Sequence, residues 1–146
     1  MHERNTSGCG AGWRIALLAA GGLVSLAVAA QAAGDATLSA AQRQRIAQAI
    51  GALKSPVERR MAFAWSPAKQ VAEVLCRPLA RRLLHRRDSS IDKVFLGLGD
   101  PGDLVLAGNR LLAGRGQARH AGGWTTFVFT CELDPASGKA VRFTAN

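Results

Sequence analysis

The feature that most constrains this chain is a run near its start, too short for one task and well formed for another. Residues 15–32, IALLAAGGLVSLAVAAQA, carry no charge. The apolar part stops at Ala30, short of the roughly 20 apolar residues a membrane-spanning helix needs. Gly21, Gly22 and several alanines weaken it further, Arg4 and Arg14 precede it, and Ala30-Gln31-Ala32 closes it. A charged start, a short apolar centre and a small-x-small end are the parts of a secretory signal peptide, with an uncleaved anchor as the alternative. The expected organisation is residues 1–32 as signal peptide and residues 33–146 as a single small domain, periplasmic or secreted.

That reading changes what remains to fold. Taking the first 32 residues from 146 leaves 114, enough for one domain and not two. Of the charged residues, 17 basic and 9 acidic stay, a net charge of +8. Cys9 lies before the apolar run, out of place for a lipoprotein cysteine, and leaves with the signal. Cys76 and Cys131 remain. Two cysteines in an oxidising compartment argue for one disulfide.

Periodicity tests the pairing. In SPAKQVAEVLCRPLARRLLHRR, Ser66 is placed as an N-cap and Pro67 suits the first helical position, where its missing N–H is not needed. Ala68, Ala72, Leu75, Cys76, Leu79 and Leu83 then share one helical face. Pro78 should kink or break that helix, or mark the meeting of two helices. In WTTFVFTCELD, alternation puts Phe127, Phe129, Cys131 and Leu133 on one face of a strand. Both cysteines thus point toward a helix–sheet core, and closing the loop between them is worth roughly 4 kcal/mol. A free thiol has little support without a C-x-x-C, and two cysteines with scattered histidines do not make a zinc pattern.

The other elements follow. Residues 37–55 start at a capping serine, Ser39, place Ile46, Ile50 and Leu53 on one side, and stop before Pro56: a helix of about four turns. VERRMAFAW reads as a short helix or turn with Met61, Phe63 and Trp65 available to the core. Val94, Leu96 and Leu98 share a strand face, DPGD breaks it, and residues 104–123 read as one or two irregular strands loosened by five glycines. Residues 134–138, DPASG, are turn chemistry with Gly138 at positive φ, and Val141 and Phe143 finish the last strand. The expected fold is α+β: N-terminal helices packed on a small antiparallel sheet of three to five strands, with one disulfide.

Cys76, KVFLGL at residues 93–98, GNRLLAGRGQARHAGG at 108–123, WTTFVFTC at 124–131 and AVRF at 140–143 occur in that order. The set resembles a family of small exported proteins of unknown function from rhizobia and related proteobacteria. The resemblance covers roughly residues 70–144 and leaves the first helix uncovered. It departs at Thr125 and Thr126, since such proteins tend to carry an aromatic beside the tryptophan. It implies export and a two-cysteine core, and supplies no catalytic residue.

The densest charge is Arg77, Arg81, Arg82, Arg86 and Arg87, with His85 among them. As a docking surface it suits an anionic lipid, a cell-wall polymer or an acidic protein, because guanidinium binds phosphate and carboxylate bidentately. The bland alternative is a solvated helix face whose arginine stems cover core. Nucleic acid is the reflex partner for this charge, but an exported protein rarely meets it, and Trp65 and Trp124 lie outside the basic run. No nucleophile elbow accompanies His85 or His120. Asp100 and Asp103 in GDPGD lack the alternating ligands of a calcium loop, and the glycines of residues 114–123 do not form a phosphate-binding fingerprint. No cofactor, metal or catalytic residue is called for. The expected function is a non-enzymatic module that binds an anionic envelope partner through the basic helix; the alternative is a small periplasmic enzyme with a cleft at residues 108–124 and His120 as acid or base.

Overall fold

The computed structural model describes residues 37–100 and 102–146. The expected signal peptide at residues 1–32 and its boundary lie outside the described residues. Within them the fold is α+β, with the helices ahead of a five-stranded antiparallel sheet.

The first three helices each begin on a serine. Helix α1, Ala40–Gly51, is capped by Ser39, whose hydroxyl accepts from Gln42 N while the Gln42 side chain accepts from Ser39 N, a reciprocal capping box. Helix α2, Pro56–Phe63, starts at Ser55 with a proline at its first position, and helix α3, Pro67–Gln70, repeats the device with Ser66 and Pro67. A π segment, Val71–Cys76, follows directly, and helix α4, Arg77–Arg87, continues from it.

Pro78 therefore neither breaks nor ends the helix. It falls at the start of α4, just after the wider π turn, where the shifted hydrogen-bond ladder absorbs its missing N–H. The detour has a cost in register. Ala72 and Cys76 are buried as expected, but beyond the π segment the buried positions are Ala80 and Leu84, not Leu79 and Leu83, which are only partly buried. A four-residue step overshoots an α-turn by about 40°, and the π segment takes part of that back, so the stripe runs Ala72, Cys76, Ala80, Leu84.

The strands are β1, Lys93–Leu96; β2, Leu104–Ala107; β3, Leu111–His120; β4, Gly123–Asp134; and β5, Lys139–Ala145. The order is β1-β3-β4-β5, and β2 pairs with the other half of β3. Strand β3 is regular over ten residues, contrary to the irregular strand its glycines suggest. A Cβ on Gly116 would sit 2.7 Å from the Phe127 ring and from Phe95 O, and one on Gly114 would sit 2.3 Å from Asp103 O. Those glycines permit close approach rather than loosen the strand. Strand β1 stops at Leu96 because Gly97 turns away at φ +81°, which removes Leu98 from the face of Val94 and Leu96. The β4–β5 turn is held by Asp134, whose carboxylate accepts from Ala136 N and Ser137 N, and Gly138 has φ +68°.

The core lies between the helices and the inner sheet face. Ile46 and Ile50 of α1, Val71, Ala72 and Leu75 of the π segment, and Ala80 and Leu84 of α4 meet Val94, Leu96, Leu112, Phe127, Phe129, Leu133 and Phe143. Cys76 and Cys131, both fully buried, are joined through this interface by the expected disulfide, with Cα atoms 6.2 Å apart. Met61 and Phe63 are not core residues: each is more than half exposed, and Ala62 is buried in their place. Gln42, fully buried, donates to Asn109 O at 2.7 Å and ties α1 to the β2–β3 turn.

Helix α4 packs against both β1 and β5, the two ends of the strand order, so the sheet curls around it. The same helical stretch covers outward carbonyls at the sheet margins. Lys69 Nζ donates to Leu96 O at 2.9 Å, His85 Nδ1–H to Ile91 O at 3.0 Å, and Arg87 Nη1 to Ala145 O at 3.2 Å. Exposed sheet edges template pairing with other chains; here basic side chains cap them.

Candidate basic groove

Four residues apart along the helical stretch stand Lys69, Glu73, Arg77, Arg81 and His85. The register just described keeps them in one row beside β1. Glu73 is nearly buried, and Lys69 Nζ at 2.8 Å and Arg77 Nη1 at 2.5 Å neutralise it. Past that pair the row is purely basic.

Here α4 and β1 enclose an open groove. One part, about 540 Å³, is lined by Pro78, Arg81, Arg82, His85, Ile91 and Asp92 among others. A second, about 420 Å³, is lined by Arg77, Arg81, Asp92, Lys93, Val94 and Phe95. Arg81, Asp92 and Val94 line both, so the two adjoin. The one carboxylate in the groove is already spoken for. Asp92 receives a two-pronged contact from Arg119, with Nε to Oδ1 at 2.8 Å and Nη2 to Oδ2. The Arg119 hydrogen bond holds the Asp92 carboxyl below its usual range despite some desolvation. Among the described residues, no carboxylate lies within ion-pair distance of Arg81, Arg82 or Arg86.

The five arginines of the basic run thus separate. Arg77, Arg81 and Arg82 converge on the groove. Arg86 is exposed and lines neither part, while Arg87 caps Ala145 and faces a different hollow. His85, Lys93 and Phe95 join the groove although the charge run alone did not single them out as a unit. Alternation along β1 marks Lys93 and Phe95 as opposite Val94, but only the packing of α4 beside that strand puts them next to arginines. Phe95 stacks on Trp124 at 5.5 Å between centroids, and Arg119 stands 5.9 Å over the Trp124 ring.

Residues 108–124 form the β2–β3 turn, β3 and the start of β4, and Ala113, Gly114 and Arg115 help line an open hollow of about 330 Å³ beside Asp103 and Val128. At their end a hollow of about 280 Å³ is lined by Leu84, Arg87, Asp88, His120, Thr125 and Phe127 among others. His120 is committed within it. Gly122 N–H donates to Nδ1 at 3.1 Å, so the neutral ring carries its proton on Nε2, which donates to Thr125 Oγ1 at 2.8 Å. A general base for that hydroxyl would need the opposite tautomer. Asp100 and Asp103 serve their loop: Asp103 accepts from Leu98 N, Asp100 N and the Arg115 guanidinium, and the Arg115 bond, above all, lowers its pKa. Among the described residues no group of three or more His, Cys, Asp or Glu is arranged to hold a metal, and no helix is long and apolar enough to cross a membrane.

Comparison with protein-family models, with curated proteins and with solved structures finds no match.

Proposed function

We propose that this chain is an exported, non-enzymatic binding module whose α4–β1 groove grips the phosphate or carboxylate groups of an anionic envelope partner. The observation that carries the reading is the pairing state of the groove. Its single acid is engaged by Arg119, Glu73 is saturated by Lys69 and Arg77, and Arg81 and Arg82 face the opening without a carboxylate. Arginines lying only on a solvated helix face would have no reason to converge with Lys93 and His85 on one groove. The charged start and short apolar run of residues 1–32 support export to the periplasm or beyond, as does the resemblance to small exported proteins. The partner classes that fit are anionic lipid, cell-wall polymer and acidic protein. The alternative, an enzyme working at residues 108–124, has the open hollows beside Arg115 and His120 in its favour, but Arg115 is engaged by Asp103 and the hydrogen bonds of the His120 ring oppose a base there.

The test is co-sedimentation with anionic vesicles and with cell-wall material across a salt series. The double reversal Arg81→Glu/Arg82→Glu is compared with Arg110→Glu/Lys139→Glu, which places the same charge change away from the groove. Loss of about tenfold or more in affinity for the first pair, and little for the second, is expected, since each basic residue near an anionic surface contributes about 1 kcal/mol. Equal losses would reduce the effect to net charge. Unchanged binding in both would end the proposal.

A further inference from the structure

On the outer face of the sheet two aromatic rings meet across a strand. Phe95 is on β1 and Trp124 on β4, and both strands pair with β3, so the strands that carry the rings are about 9.6 Å apart. The ring centroids are only 5.5 Å apart, with the planes at 26°. The two side chains therefore lean toward each other above β3. The register gives their surroundings. Lys93, Arg119 and Trp124 form one cross-strand row, and Phe95, Gln117 and Thr126 form the next. Ala118, between the two rows on β3, is buried, so both rows face away from the core.

The stack gives each ring one neighbour, yet Phe95 stays 43% and Trp124 48% exposed. Polar groups stand among the rings. The Arg119 guanidinium lies 5.9 Å from the Trp124 ring centre and holds Asp92. Gln117 is half-buried, and its side chain has no hydrogen-bond partner among the described residues. Phe95 also lines the groove together with Arg77 and Arg81. Bare aromatic surface, an amide free to bond and guanidinium groups without a carboxylate thus share one rim.

We infer that the anionic partner is an acidic polysaccharide, with a sugar ring on the Phe95–Trp124 pair and its carboxylate or phosphate groups on Arg81 and Arg82. The inference rests on the groove reading given above and narrows its partner to one class. A pyranose carries C–H bonds on its faces and hydroxyls around its rim, so one sugar can cover an aromatic ring and bond Gln117 and Arg119 together. A bilayer suits the rim less well. Sinking the rings into acyl chains would strip water from Gln117, Lys93 and the Arg119–Asp92 pair. An acidic peptide would bind most simply by adding a strand to β1, but Lys69 and His85 already hold the carbonyls of Leu96 and Ile91 at its ends. Single-stranded nucleic acid shares the stacking and the charge; the expected export sets it aside as a partner.

The experiment is calorimetric titration of the full chain, as recovered from the cells that make it, at about 0.15 M salt. The probes are polygalacturonate, dextran phosphate, neutral dextran, polyglutamate, oligo-dT and phosphatidylglycerol vesicles. The variants are Phe95→Leu/Trp124→Leu, which keeps apolar bulk without a ring, the ring-retaining Phe95→Tyr/Trp124→Phe, and Arg81→Glu/Arg82→Glu. Both aromatic positions are nearly half exposed, so melting with the parent confirms that the variants fold. At least one acidic glycan is expected to bind about tenfold more tightly than polyglutamate at equal charge, and more tightly than neutral dextran. The leucine pair should lose that tenfold preference and the ring-retaining pair should keep it. A parent without the preference, or a leucine pair that retains it, overturns the sugar subsite. Tightest binding to oligo-dT, lost in the leucine pair, assigns the rings to bases; tightest binding to vesicles assigns the groove to lipid; either overturns the inference. The Arg81/Arg82 reversal separates this failure from that of the groove. If it weakens binding to every anion while the leucine pair changes nothing, the groove stands and the sugar subsite falls. If it changes nothing, the groove falls and takes the acidic polysaccharide with it.

Discussion

Replacing both Cys76 and Cys131 with alanine should lower the thermal midpoint by about 20 °C. The bridge joins residues 55 apart in sequence, and opening a loop of that size returns roughly 4 kcal/mol of chain entropy to the unfolded state. Both sulfurs are fully buried, so their removal also leaves small voids on either side of the helix–sheet interface, worth about 1 kcal/mol together. A domain of about 110 residues gains about 0.23 kcal/mol/K of entropy on unfolding, which turns 5 kcal/mol into the stated shift. The assay is circular-dichroism melting of oxidised protein, phosphine-reduced protein and the double alanine variant. Reduced and alanine forms should fall together to within a few degrees, because they share the lost loop constraint and differ only in the small packing contribution. The entropic origin has a kinetic signature too: refolding slows while unfolding barely changes, since the tether acts on the open chain. A midpoint within about 5 °C of the oxidised protein would refute the reasoning, because the unfolded chain would then have to be nearly as restricted without the bridge.

Leu84→Ala should destabilise by about 2–4 kcal/mol and Leu83→Ala by less than half of that, measured by urea unfolding; equal effects would deny the register shift at the π segment. Gly116→Ala should cost about 2 kcal/mol or more, because Phe95 O is backbone and cannot swing away. Gly51→Ala, with nothing within 4 Å of the added methyl, should stabilise by about 0.5 kcal/mol. Asp88, Asp92, Asp103 and Asp134 all titrate below their ordinary value, each chiefly through a side-chain hydrogen bond, from Ser90, Arg119, Arg115 and Ser137 respectively. Their contribution to stability is complete above the unfolded carboxylate pKa of about 4 and is lost as pH falls through the lower folded values. The melting midpoint should therefore be level above about pH 5 and drop below about pH 4, less steeply in Asp103→Asn.

Local chemistry made much of this fold legible. Ser39 and Ser66 announce helix starts because a hydroxyl can accept from the backbone three residues on, and nothing downstream has to be known. Phe127, Phe129, Cys131 and Leu133 reveal their shared face through simple alternation, and the two-cysteine count completes the pairing. The errors arise where one element answers to another. Leu79 and Leu83 satisfy an α-helical stripe, but the π segment before Pro78 re-aims the following turns, and no residue-by-residue periodicity contains that rotation. Gly114 and Gly116 read as weakness when counted and as necessity once Phe127 and Asp103 are laid across them. Met61 and Phe63 look like core because they are large and apolar; only the position of α1 shows that Ala62 is the side turned inward.

The candidate site was half legible for the same reason. A run of arginines states that charge is present but not which charges are available, and availability depends on the curl of the sheet. Because α4 touches β1 and β5 together, the basic residues of the helical stretch from Lys69 to Arg87 divide between two tasks. Lys69, His85 and Arg87 spend hydrogen bonds on Leu96, Ile91 and Ala145, carbonyls at the sheet margins. Arg77 answers Glu73. Arg81 and Arg82, between those positions, line the groove beside the buried Val94 and Asp92, which Arg119 already holds. An edge-capping role can therefore account for the ends of the basic stretch but not for its centre. A guanidinium held beside others without a carboxylate raises the local potential, a cost the fold does not need in order to protect β1. That unmatched charge is what the proposed anionic partner would answer.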